Sequence, residues 1–145
     1  MILGGLELDD KKNPRGSIWH CWDPHIHAPG TILANNFGQN AWETYLQAIE
    51  QSSPRIRALG ITDYYSFTLY EQVIAHKKAG RLKDVELIFP NVEMRFEMGT
   101  SSDGVINFHL LVCPDEPDHL EKLQSGMRKL TGLAHGETYP GDRNE

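Results

Sequence analysis

The chain has little cysteine: Cys21 and Cys113 are the only two, and no Cys-x-x-Cys spacing links them. A thiolate metal site is therefore not indicated. Both lie in apolar segments, so buried, reduced thiols and a cytoplasmic setting are expected. Long apolar runs are also missing. None approaches the roughly 18 residues that a membrane span needs. Met1 to Asp10 lacks the basic start and longer apolar stretch of an export signal. Positive charge is short as well, with 14 Lys and Arg against 20 Asp and Glu and a net charge of −6. That argues against binding nucleic acid by charge alone. A phosphate substrate stays open, because bound divalent ions reverse a local field. What the 145 residues do contain is 39% hydrophobic content, enough for the core of one acidic soluble domain or part of a larger one.

The stretch around which the rest is organised is Trp22-Asp23-Pro24-His25-Ile26-His27. In a regular strand, alternate side chains share a face, so Asp23, His25 and His27 are expected on one side. Neutral imidazole is the commonest transition-metal ligand in proteins. Two ordinary strand histidines would give the same short pattern, so its meaning depends on what later strands supply.

Residues 1 to 17 read as an irregular lead-in and 18 to 130 as the folded part. Strand one is expected over 18–27, ended by Pro29-Gly30. Trp42, Tyr45, Leu46 and Ile49 recur at helical spacing, predicting a helix from Asn40, its cap, to about Ser52. A strand from Ala58 to Thr62 should deliver Asp63. A second helix follows, with Phe67, Tyr70, Val73 and Ile74 on one face and Gly80 as its stop. Val85 to Phe89 reads as a strand interrupted by Pro90-Asn91, and Val92 to Phe96 as extended chain carrying Glu93. After a turn over 99–104, Val105 to Cys113 is a strand with His109 in its middle. Asp118 is a candidate cap for a helix with Leu120, Leu123, Met127 and Leu130 on one stripe. Residues 131 to 145 show no periodicity and read as an irregular tail or the start of another unit. Alternating strands and helices predict an α/β fold with a largely parallel sheet. About four βα units are present against the eight of a full barrel, so half of a barrel is expected.

Parallel βα units bring strand ends together on one face. His25, His27, Asp63, Glu93 and His109 would then converge from four strands as nitrogen and oxygen ligands. Such a set suits Zn, Mn or Fe, with a carboxylate able to bridge two ions. Each member also has a plain alternative: Asp63 could cap the next helix, Glu93 could face solvent, and His109 could be a core histidine. Trp19, Trp22 and Trp42 are expected in the core.

Asp23-Pro24-His25-Ile26-His27, Gly60-Ile61-Thr62-Asp63-Tyr64, Val92-Glu93 and Phe108-His109-Leu110-Leu111 resemble, in order, motifs of the polymerase and histidinol phosphatase (PHP) family. With Arg15-Gly16-Ser17-Ile18-Trp19 and Tyr65-Ser66-Phe67, the likeness is to PHP modules at the N-terminus of SMC-like or AAA-type ATPases (TrlF-like proteins). The resemblance spans about Gly16 to Val112. It implies the N-terminal part of a distorted (β/α)7 barrel with up to three divalent ions. His25, His27, Asp63, Glu93 and His109 fall on ligand positions, with Asp63 also catalytic. It departs from the family at Tyr64, where many members have histidine, at Pro24 for leucine and at Ala28 for threonine. The family's later motifs have no counterpart here.

The implied activity is metal-dependent hydrolysis of a phosphate ester, with nucleic acid or nucleotide among the substrates and an ATPase region as partner. Metal ions would lower the pKa of water towards about 7 and neutralise charge on phosphate oxygens. Arg95, of the same strand parity as Glu93, is placed to contact a phosphate oxygen. The rivals are a non-catalytic PHP-like scaffold for an ATPase, and an amidohydrolase-type enzyme, which also opens with His-x-His.

Overall fold

The computed structural model describes residues 19–33, 36–97, 105–134 and 137–140. The lead-in and the 99–104 turn lie outside them. The fold is α/β, with a curled four-stranded half-barrel sheet and three helices. Strand β1 is Cys21–His27, β2 is Ile56–Tyr64, β3 is Leu87–Glu97 and β4 is Val105–Leu111, in that spatial order. The first three are parallel, and β4 runs antiparallel to β3. The sheet is thus mixed, not the largely parallel one that strand–helix alternation predicts.

Helix α1, Ala41–Glu50, and helix α2, Thr68–Lys78, form the two parallel crossovers. Tyr45, Leu46 and Ile49 of α1 and Leu69, Tyr70 and Val73 of α2 pack with Leu59, Ile61 and Ile88 in the main core. Helix α3, His119–Met127, adds Leu123 and Met127 against Phe67, Val92 and Met94. Strand residues of one parity therefore meet all three helices. Sequential strand order with right-handed crossovers puts successive helices on the same side of a sheet. The opposite face carries no helix among the described residues.

The stripes of α1 and α2 are where the sequence puts them, but that of α3 ends at Met127, with Leu130 beyond the helix and exposed, and the caps differ. Asn40 has φ 58 and makes no side-chain cap bond; only its carbonyl accepts, from Thr44 N–H at 3.0 Å. Asp118 likewise makes no side-chain cap bond. Gly80, at φ 94, does stop α2: Arg81 N–H donates to His76 O at 3.1 Å and Gly80 N–H to Lys77 O at 3.0 Å. This is the Schellman arrangement, which needs a left-handed residue.

Strand β3 does not break at Pro90-Asn91. Pro90 gives up a donor, yet its carbonyl still accepts from Val112 N–H at 3.0 Å, and the strand continues through it. Where no periodicity was visible, Thr131–Ala134 and Glu137–Pro140 form a two-stranded antiparallel pair, β5 and β6. Two tryptophans are not core residues: Trp19 is 94% and Trp22 60% exposed. Cys113 is exposed and Cys21 half-buried, so the thiols are free but not sequestered.

Candidate metal centre

The helix-free face owes its chemistry to an irregularity in β1. Asp23 registers with Leu59 and Ile26 with Ile61, so Pro24 and His25 together face the single residue Gly60. This is a β-bulge, and it shifts strand parity by one. Asp23 therefore lies on Leu59's side, contrary to the expectation that it joins His25 and His27. Its carboxylate turns back instead, and Asp23 Oδ1 accepts from His25 N–H at 3.1 Å.

Three other features fit the bulge. Pro24 needs no ladder donor. Its carbonyl accepts from Asn91 Nδ2 at 2.9 Å. Gly60 leaves the space: a Cβ there would overlap the Pro24 carbonyl and sit 2.8 Å from the Phe89 ring.

Beyond the bulge, His27, Thr62 and Asn91 form one register row across the sheet, and Tyr64, Glu93 and His109 the next. His25 Nε2 and His27 Nε2 lie 3.2 Å apart, and each is 3.6 Å from Glu93 Oε2. Glu93 is 1% exposed, and its Oε2 has no hydrogen-bond partner among the described residues. A buried carboxylate oxygen left unpaired is costly, and an ion is one of the few things that satisfies it. The dimensions fit. Two ligands at about 2.0–2.2 Å from a tetrahedral ion stand about 3.3–3.6 Å apart. His25, His27 and Glu93 thus form a group able to hold a metal ion.

The protonation states also suit ligation. Burial, then the neighbouring His25, lowers the His27 pKa below 6.5, against Glu93, a Thr62 backbone hydrogen bond and Asp63. The ring is neutral at pH 7. Thr31 Oγ1 lies 3.4 Å from His27 Nδ1 and can hold the proton on that nitrogen, leaving Nε2 for an ion.

The other sequence candidates fall around this group. The His109 ring packs against His25, with centroids 4.6 Å apart, and its Nδ1 lies 3.2 Å from Asn91 Oδ1. Arg95 Nε is 3.9 Å from Glu93 Oε1, at the rim. Asp63 is not brought into the group. It registers with Val92, on the helix side, because it lies one residue out of phase with Thr62 and Tyr64. Only 6% exposed, it accepts from Tyr64 N–H at 2.9 Å and lines an open cleft with Gly30, Ser66 and Thr68. Nor does it cap α2, whose N-cap position is Phe67.

Two contributors, Thr31 and Asn91, were not evident from the motifs, and Gly60, though inside one, had no role assigned to it. Asn91 carried the best signal, an amide inside an otherwise apolar run. Read as a break, it is instead a buried strand residue that ties β1, β2 and β4 together.

No protein-family model, curated protein or solved structure matches the chain. Fold and site define its class: an α/β protein with a His–His–Glu group able to hold a metal ion on the helix-free face of its sheet.

Proposed function

We propose that this chain carries the metal centre of a PHP-type phosphate-ester hydrolase, built on the first strands of a β/α barrel. Its substrate is a phosphate ester, nucleic acid or nucleotide, in an ATPase-linked protein. The observation that carries the reading is the unpaired, buried Glu93 Oε2 facing two imidazole nitrogens. Helices confined to one face support the barrel, because the winding matches that of barrel strands and places the cluster on the interior side.

Bound in this group, a divalent ion supplies Lewis acidity and a nucleophile at neutral pH. Zn, Mn and Fe all suit mixed imidazole and carboxylate ligands. The chain's own residues prepare the place: Glu93 brings the negative charge, and burial keeps His27 neutral. Free cysteines fit a reducing cytoplasm. No helix among the described residues is long and apolar enough to cross a membrane.

A second reading, a scaffold that does not catalyse, draws on two observations. Tyr64 stacks on His27 where a further imidazole ligand could stand, and Asp63 faces the helices. Elemental analysis tests the metal centre, and a hydrolysis assay separates the two readings. The purified chain should retain Zn, Mn or Fe, and a His25→Ala/His27→Ala variant none. The loaded chain should then hydrolyse a generic phosphodiester. Metal without hydrolysis would favour the scaffold, and no metal after reconstitution would sink the metal reading.

A further inference from the structure

The two oxygens of Glu93 face different partners. Oε2 faces the imidazoles, whereas Oε1 lies 3.9 Å from Nε of Arg95. Arg95 is held from both ends. Its Nη2 donates to Tyr64 Oη at 3.2 Å, and its guanidinium carbon lies 4.9 Å from the centre of the Tyr64 ring. At the backbone, Tyr65 Oη accepts from Arg95 N–H at 2.8 Å and donates to Arg95 O at 2.7 Å. Tyr65 itself takes φ 52, an unfavourable value for an aromatic residue. Such a conformation persists only where surrounding contacts enforce it, and the two hydroxyl bonds to Arg95 do so. The Tyr64 ring stacks on His27, 5.2 Å between centroids and 18° apart in plane. His27, Tyr64, Arg95 and Glu93 thus close a circuit along one side of the metal group.

We propose that the centre holds a single divalent ion, and that the Arg95 guanidinium serves as its second cation. Together they bind a phosphate group, one oxygen on the ion and others on Arg95. The proposal rests on the metal reading above and specifies its stoichiometry and its anion subsite. Three arguments lead to it. A second ion would need Glu93 Oε1, and a guanidinium against that oxygen repels another dication. Tyr64 puts a phenol where an imidazole could stand, and its hydroxyl is already engaged by Arg95 Nη2 at 3.2 Å. The guanidinium is 42% exposed, so it remains reachable by an anion, and its planar fork matches phosphate oxygens.

The test uses the full chain loaded with zinc or cobalt, with inorganic phosphate as probe. Elemental analysis should give one ion per chain. Phosphate added to the cobalt form should perturb its visible spectrum with a measurable Kd. Arg95→Ala should keep the ion and weaken phosphate binding by about ten- to a hundredfold, the weight of a charge-assisted pair. Arg95→Lys should recover part of that loss. Tyr64→Phe keeps the ring but drops the hydroxyl, and should weaken phosphate by a smaller factor with the ion retained. Two or more ions per chain, or an unchanged phosphate Kd in Arg95→Ala, would overturn the single-ion arrangement and leave the metal reading standing. No ion in the wild-type chain would overturn both.

Discussion

The side-chain oxygen of Asn91 lies 3.2 Å from Nδ1 of His109, and that contact fixes the tautomer of the histidine. The Asn91 amide nitrogen is already committed, donating to Pro24 O at 2.9 Å and to Thr62 Oγ1 at 3.0 Å. Its oxygen can only accept, so His109 Nδ1 carries the proton and Nε2 keeps its lone pair. Asn91→Ala should therefore cost about 2 kcal/mol in urea denaturation, since it strands buried polar partners. Nitrogen-detected NMR should show His109 shifting from one tautomer to a mixture. A variant that keeps the wild-type tautomer would show that Asn91 does not set it.

Glu93 should trade stability for binding. In the metal-free chain its Oε2 is buried and unpaired, whereas a glutamine amide can donate to an imidazole nitrogen. Metal-free Glu93→Gln should be as stable as wild type or more stable by about 1 kcal/mol. A divalent ion at about a hundred times its Kd should stabilise wild type by about 2.7 kcal/mol and leave the variant unmoved. Thermal denaturation with and without zinc or manganese reads both effects. Equal stabilisation of the two proteins would remove Glu93 from the ligand set.

Gly60→Ala should unseat the bulge. The new methyl carbon would lie 2.6 Å from the Pro24 carbonyl carbon and 2.8 Å from the Phe89 ring. Backbone cannot yield that much cheaply, so a loss of about 2–3 kcal/mol is expected, together with the metal. Gly38→Ala is the control, because nothing lies within 4 Å of its Cβ position. Urea midpoints and metal content of both variants decide whether the space at Gly60 matters.

The pH profile of the metal-free chain should register His27. Burial first, and His25 next, hold its pKa below 6.5 in the folded state. The unfolded chain thus takes up a proton that the folded chain resists. Stability from this source is whole above about pH 6.5 and is lost as pH falls through the lowered folded value. His27→Gln should show a shallower loss than wild type between about pH 7 and pH 5 in urea titrations. Parallel profiles would mean that His27 titrates like a surface histidine.

Much of this was legible in the sequence. Helical spacing located α1, α2 and the Leu123 and Met127 contacts of α3, because burial of an apolar stripe leaves a periodic trace. His25, His27 and Glu93 were found by residue type and position. What failed was parity and direction. Asp23 and Asp63 look like partners of the histidines when strands are counted as unbroken, but the bulge displaces one and simple alternation turns the other to the helices. Nothing in the apolar composition of Val105–Leu111 announces that it runs antiparallel, since direction is set by the connection before it. Trp22 was misplaced because bulk alone does not bury a residue on an edge strand, and Trp19 because it precedes that strand.

The bulge at Pro24 and His25 makes the chemistry a matter of counting. Paired evenly from Asp23 onward, the same residues would put His25 opposite Ile61 and His27 opposite Asp63, beneath the helices. The one extra residue accommodated at Gly60 returns both imidazoles to the other side. A homologous gene that lacks the Pro24 codon would still pair Ile26 with Ile61 and face its imidazoles toward Glu93, whereas one that keeps the codon and fills the space at Gly60 would turn them away.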